Sequence, residues 1–110
     1  MAGYDTTWKM GDRVIHLGDV IRYLDRSGRR VYRMPAQSLY KMLERRLKTR
    51  RKRMMRTDIS VPIILVVDRA TRRPTVVLDG NHRLVKAVTM GVDITFRVLY
   101  SDEYDMLFGA

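Results

Sequence analysis

The chain has 110 residues, 45% of them hydrophobic, which is enough for one domain with a single core. Its 22 Lys and Arg against 12 Asp and Glu give a net charge of +10, which favours a polyanionic partner such as nucleic acid, anionic lipid or an acidic protein. The absence of cysteine excludes disulfides, thiolate zinc sites and cysteine nucleophiles. The sequence shows neither a secretory signal nor the roughly 20 apolar residues of a membrane span, so we expect a cytoplasmic protein without membrane contact.

The first elements of the chain are short. Residues 1–12 mix glycine, threonine and charge without a period, which predicts a flexible lead-in with Trp8 as a candidate anchor. A single domain then spans residues 13–110. Residues 13–17 and 30–33 each predict a brief strand.

Two helices are predicted in the N-terminal half. Residues 19–24 carry apolar positions at helical spacing, with Asp19 as N-cap and Gly28 as terminator. A second helix begins at Pro35, a residue suited to a first helical turn, and runs to about residue 50. Its apolar stripe consists of Ala36, Leu39, Tyr40, Leu43 and Leu47.

The C-terminal half predicts a hairpin, a helix and a last strand. Residues 61–67 are apolar and rich in β-branched side chains, which indicates a buried strand followed by its hairpin partner. A helix then opens at Asp79, with Leu84, Ala87 and Val88 inward, and ends at Gly91. Residues 92–100 alternate with period two, as a strand does, and a capping-box pattern at 101–105 predicts a closing helix. The fold class predicted is α+β, a small mixed sheet flanked by helices.

The turn at residues 79–83 has the features of a phosphate site. It leads a strand directly into a helix N-terminus, where backbone N–H groups and the helix dipole attract an anion. Gly80 permits close approach, Arg83 offers a guanidinium fork, and His82 can donate to phosphate or transfer a proton. The Asp79 carboxylate would repel phosphate, and two roles stay open for it: helix N-cap or Mg²⁺ ligand. An ordinary strand–helix junction is the alternative for the whole turn.

The turn and its context resemble the ParB/sulfiredoxin superfamily. The resemblance covers about residues 58–100: a strand that starts Pro-Ile, a hairpin, a Gly-x-x-Arg box that opens a helix, and a further strand. It implies that Gly80, Asn81, His82 and Arg83 surround the phosphates of ATP or CTP, usually with Mg²⁺. Activities in the family include CTP hydrolysis, ATP-dependent repair of peroxiredoxin, phosphorylation of free serine and DNA nicking.

Departures from the family pattern narrow these expectations. Asn81 stands where sulfiredoxin has its catalytic cysteine, so that chemistry is excluded. Partition ParB has Glu-Arg where this chain has Asn81-His82, and its helix-turn-helix domain does not fit into the ten residues after Tyr100. The box is most similar to the serine-kinase-like members and to small phage-type ParB-like proteins.

A basic tract at residues 41–56 supplies nearly all of the net charge. It holds nine cations and a single acid, Glu44, for a local charge of +8. Contact with nucleic-acid backbone phosphates is the favoured interpretation, and a solvated helix face or contact with an acidic protein are the alternatives. The nine cations are Lys41, Arg45, Arg46, Lys48, Arg50, Arg51, Lys52, Arg53 and Arg56.

Three classes of function follow from these features. An enzyme would be a metal-dependent nuclease, an NTP hydrolase or a phosphotransferase such as an ATP-dependent small-molecule kinase. His82 and Asp79 would then be its catalytic residues. Its second carboxylate would come from Asp19, Asp25 or Glu44. A binding module would contact DNA without catalysis, and a phage-encoded inhibitor would clamp an acidic host protein. We favour a ParB-like domain that binds nucleotide or DNA phosphates at the turn and nucleic acid along the tract.

Overall fold

The fold, a computed structural model, is described for residues 6–43, 47 and 51–109. These residues form five helices and six strands. In chain order they are β1 (Thr7–Met10), β2 (Arg13–His16), α1 (Leu17–Arg26), β3 (Tyr32–Pro35), α2 (Ala36–Met42), α3 (Arg51–Met55), β4 (Ile63–Val67), β5 (Pro74–Asp79), α4 (Asn81–Met90), β6 (Asp93–Tyr100) and α5 (Ser101–Phe108).

Four strands form one mixed sheet in the order β3-β6-β4-β5. β4 and β6 are parallel, whereas β3–β6 and β4–β5 are antiparallel. β1 and β2 form a separate antiparallel hairpin. The α+β class and the mixed sheet predicted from the sequence are therefore confirmed.

The central strand β4 is buried on both faces because each face carries its own core. Ile63, Leu65 and Val67 pack with α2 and α4 on one face. Ile64 and Val66 pack with α1, α5 and the β1–β2 hairpin on the other. This two-sided burial is why residues 63–67 are continuously apolar rather than alternating.

The elements predicted in the C-terminal half are confirmed. β4 and β5 pair as a hairpin, and α4 buries Leu84 and Ala87 with Val88 packed beside them. α4 ends at Gly91, whose left-handed backbone (φ 67°) lets the chain turn into β6. In α5 the N-cap position is Tyr100, and its N–H donates to Glu103 Oε1 at 3.0 Å.

The predictions for the first part of the chain need three corrections. Residues 7–10 form β1 rather than a flexible lead-in, and Trp8 packs edge-on against Phe108 at a centroid distance of 5.4 Å. α1 begins at Leu17, because Leu17 is itself buried in the core, so Asp19 lies inside the helix and does not cap it. β3 lies two residues later than predicted, with Pro35 as its last residue.

The helix predicted from Pro35 to about residue 50 is also wrong in length. α2 ends at Met42, and the backbone of Leu43 is extended (φ −80°, ψ 137°). Repulsion between like charges at i, i+4 spacing disfavours a longer helix through the basic tract. Leu43 and Leu47 nevertheless pack against the α2–α4 core, so the apolar stripe correctly identified residues that bury. Residues 44–46 and 48–50 lie outside the described residues.

No helix among the described residues is long and apolar enough to span a bilayer.

Candidate functional site

Gly80 forms the bend between β5 and α4, and both its backbone and its surroundings require glycine. Its φ of 107° lies where a residue with a Cβ is strained. A Cβ added here would lie 2.8 Å from the Cβ of Ile63, closer than such atoms approach in proteins. Gly80 is therefore needed to seat the turn on β4, whether or not a phosphate binds.

Asp79 does not cap α4, so that predicted role is wrong. β5 continues through Asp79, which pairs with Ile64, and the N-cap position falls on Gly80. Asp79 Oδ2 instead accepts a hydrogen bond from Nη2 of Arg83 at 2.7 Å. The side chains of Arg83 and Asp79 are only 13% and 18% exposed, so this ion pair is partly shielded from water.

Arg83 ties α4 to the segment that leads into β4. Besides its pair with Asp79, Nη1 donates to the carbonyl oxygens of Val61 (3.1 Å) and Pro62 (2.7 Å). A guanidinium that satisfies a carboxylate and two carbonyls positions the turn. Contact between Arg83 and a phosphate stays a prediction, and it would have to compete with these internal bonds.

Asn81 and His82 begin the first turn of α4 and are both partly buried. Asn81 Oδ1 is buried without a hydrogen-bond partner among the described atoms. A carbonyl oxygen in that position needs a donor, since an unsatisfied buried acceptor costs about 1–3 kcal/mol. Water or a hydroxyl or amino group of a ligand would supply one.

The fit of the turn to Mg²⁺ is poor. One oxygen of Asp79 is already held by Arg83. Within the described part of the chain, no group of three or more His, Cys, Asp or Glu side chains is placed to hold a metal ion. The Mg²⁺ ligand role of Asp79 and the catalytic roles of Asp79 and His82 stay predictions.

Two of the three candidates for a second carboxylate are not brought to the turn. Asp19 pairs with Arg22, and Asp25 pairs with Arg97 at 2.8 Å. Both acids lie on α1, across the sheet from α4. The third candidate, Glu44, lies outside the described residues.

Asp58, which the sequence pattern did not single out, is a carboxylate whose charge interacts with that of Arg83 in the turn. Its Oδ1 accepts hydrogen bonds from the hydroxyl of Ser60 (2.6 Å) and the N–H of Ser60 (2.9 Å). These two bonds lower the pKa of Asp58, burial opposes them, and the charges of Lys86 and Arg83 add a lesser lowering. The Asp-x-Ser spacing typical of such a turn was the available signal.

The part of the basic tract that the structure describes lies beside α4. Lys86 Nζ donates to the carbonyl oxygens of Met55 (3.0 Å) and Thr57 (2.8 Å), which fixes the end of α3 against α4. Four cations of the tract are exposed: Lys41, Lys52, Arg53 and Arg56. Arg45, Arg46, Lys48 and Arg50 lie outside the described residues, as does the side chain of Arg51.

Comparison with known proteins neither supports nor contradicts the resemblance to the ParB/sulfiredoxin superfamily. Scans against protein-family models, curated proteins and solved structures each returned no match. Membership of the ParB/sulfiredoxin superfamily therefore stays a prediction that depends on the residues of the turn and their order in the chain.

Proposed function

We propose that this domain binds nucleic acid through the phosphate backbone. The observation that carries the proposal is the exposed positive charge at the end of α2 and along α3. No acid lies between Lys52 and Arg56 to neutralise this charge. The four exposed cations are Lys41, Lys52, Arg53 and Arg56.

The support for this surface comes from the way α3 is held. Two hydrogen bonds from Lys86 attach the carbonyl end of α3 to α4, so its cations are presented from a defined place on the domain. Cations that meet phosphates release condensed counterions, and this release supplies sequence-independent affinity. Backbone contact without sequence readout is the mode we propose.

A second candidate function is binding of the phosphates of ATP or CTP at the start of α4. It is favoured by the helix N-terminus, where an anion is stabilised. The unpartnered Oδ1 of Asn81 is an acceptor, so it would take a ribose hydroxyl or a base amino group of the nucleotide and not a phosphate oxygen. Thermal melting with each NTP, with and without Mg²⁺, tests it. A rise in Tm that Asn81→Leu abolishes is expected, and no rise with any NTP would exclude a nucleotide site.

The proposed function predicts that affinity for nucleic acid depends steeply on salt concentration and that the cations of the basic tract cause this dependence. Binding of a labelled duplex is measured by fluorescence anisotropy at several salt concentrations. A plot of log Kd against log salt concentration should be linear, with weaker binding at higher salt. Each duplex phosphate contact contributes about 0.9 to the slope, so the exposed cations predict a slope of about 3 to 4. Changing Lys52, Arg53 and Arg56 to Gln should lower the slope by about 3.

A control variant of equal charge distinguishes this surface from general positive charge. It changes three exposed cations on the side of the sheet that carries α1 and the β1–β2 hairpin: Lys9, Arg22 and Arg26. We expect this variant to retain most of the slope. Equal losses in both variants would refute a localised surface, and no binding of duplex or single strand at low salt would refute the proposed function.

A further inference from the structure

An apolar groove of about 250 Å³ lies over the parallel strands β4 and β6 and extends to their carboxyl ends, on the face of the sheet that carries α2. Its lining includes Val67 of β4, Val98 and Tyr100 of β6, and Pro74 of β5. The turn at Gly80 lies at the other end of β4, because Asp79 pairs with Ile64. The groove is therefore separate from the predicted phosphate turn.

Three aromatic side chains line this groove because the strand register brings them to one face. Tyr32 of the edge strand β3 pairs with Phe96, and Tyr100 pairs with Val67. The rings of Tyr32 and Phe96 stack with centroids 5.7 Å apart and an angle of 26°. Tyr32 is nevertheless 43% exposed, so the core does not account for its ring.

Arginine side chains surround these aromatic rings. The guanidinium of Arg30 lies 5.6 Å from the ring centre of Tyr32, and that of Arg69 lies 3.9 Å from the ring centre of Tyr100. Arg72 lines the groove from the β4–β5 turn. Arg69 also pairs with Asp102 at 3.0 Å, so the positive charge of the rim comes mainly from Arg30 and Arg72, whereas the floor is apolar and aromatic.

The turn that carries Arg72 is braced. Asp68 Oδ1 accepts the N–H groups of Ala70 (2.8 Å) and Thr71 (3.0 Å), and the Asp68 carbonyl accepts the N–H of Arg72 (2.8 Å). Arg72 adopts a left-handed backbone (φ 63°), a conformation that favours glycine. An arginine at this position therefore costs stability.

We propose that this groove binds a nucleobase of a single-stranded nucleic acid, with the neighbouring phosphates on the arginine rim. This inference rests on the proposed function. A base offers a flat π surface for the aromatic rings and the Arg planes, and its phosphate matches the positive rim. The volume lies just below the roughly 300 Å³ at which pockets for drug-sized ligands begin, which suits one base.

One cation of the basic surface adjoins the groove. Met42 lines the groove, and the exposed Lys41 precedes it on α2. A strand that contacts Lys41 is therefore beside the groove. An uncharged apolar peptide would leave the cationic rim unused.

The experiment compares a ten-nucleotide thymidine strand with a duplex of equal length by fluorescence anisotropy. Tyr32→Leu keeps an apolar side chain but removes the ring. We expect it to weaken binding of the single strand roughly 5- to 100-fold, the range measured for the loss of one stacked base. Binding of the duplex should change less than twofold, because a paired base stays in its stack.

A second pair of variants tests the rim at a residue that is not in the core. Arg72→Gly should raise Tm, because glycine relieves the left-handed backbone, and should also weaken binding of the single strand. Arg73→Ala removes the same charge from the next residue and should do neither. A gain in Tm without loss of affinity would overturn the role of Arg72 in binding.

Photocrosslinking with a 5-iodouracil strand locates the base directly. Adducts on Tyr32, Phe96 or Tyr100 are expected. Adducts confined to residues 51–56, with Tyr32→Leu binding normally, would overturn the groove and leave the proposed function intact. If the wild-type protein binds neither strand nor duplex at low salt, the proposed function fails and the groove fails with it.

Discussion

Glu103 is the only charged residue among those described that is buried, with 7% of its surface exposed. Its two oxygens accept hydrogen bonds from both terminal nitrogens of Arg29, at 2.7 and 2.6 Å. The Tyr23 hydroxyl also donates to Oε2, and the N–H of Tyr100 donates to Oε1. These bonds join the α1 region, β6 and α5, so we expect the charge of Glu103 to contribute substantially to stability.

The pKa of Glu103 gives the size of that contribution. The hydrogen bonds from Arg29 lower the pKa of Glu103 from 4.5 to about 2. Burial opposes this shift, and the hydrogen bonds from Tyr23 and Tyr100 add to it. A difference of this size corresponds to about 3 kcal/mol of the free energy of unfolding. Because the folded pKa lies below the unfolded one, the contribution is complete above about pH 5 and is lost as the pH falls towards 2.

Glu103→Gln removes the charge at every pH and should therefore cost about 3 kcal/mol at pH 7, measured by urea unfolding. The deficit should shrink as the pH falls from about 5 to about 2, because the wild-type carboxylate becomes protonated in that window. Asp102→Asn is the control on the same helix, since the Arg69–Asp102 pair is more than half exposed and should matter far less. A deficit below about 1 kcal/mol at pH 7, or one that persists unchanged at pH 2, would refute the reasoning.

Two predictions concern the turn itself, each read by urea unfolding at pH 7. Gly80→Ala should cost at least about 2 kcal/mol, through the strained backbone and the overlap with Ile63. Because Ile63→Ala leaves a cavity in the core but relieves part of that overlap, the double variant should cost less than the sum of the two single changes. A Gly80→Ala variant as stable as wild type would contradict the packing argument. Arg83→Met should cost about 2–4 kcal/mol, because it leaves the Asp79 carboxylate partly buried without its partner. Adding Asp79→Asn should cost less than the sum of the two single changes, and strict additivity would show that the pair is not coupled.

Sequence patterns over a few neighbouring residues correctly predicted the helices and strands whose formation depends on those residues. The β4–β5 hairpin, the buried positions of α4 and its end at Gly91 depend on periodicity and on a single glycine, and all three are confirmed. The apolar run at β4 also indicated correctly that both of its faces are covered.

Other errors and omissions concern contacts that are distant in sequence. Whether Asp79 ends a strand or caps a helix depends on its pairing with Ile64, which no local pattern contains. The buried pair of Arg29 and Glu103 joins residues 74 positions apart. The groove also depends on pairing between strands that are distant in sequence. The alternation in β6 places Phe96 and Tyr100 on one face, and this was the signal that could have found the groove.

The two proposed contacts respond to salt in different ways, and this difference separates them in one set of titrations. Phosphate contacts set the slope of log Kd against log salt, with about 0.7 per contact on a single strand. Stacking of a base releases no counterions, so it displaces the whole line without changing its slope. Tyr32→Leu should therefore shift the single-strand line by about one decade at every salt concentration, parallel to wild type. The Lys52, Arg53 and Arg56 variant should lower the single-strand slope by about 2. A change of slope in Tyr32→Leu would mean that the ring acts through the phosphate contacts and not by binding a base.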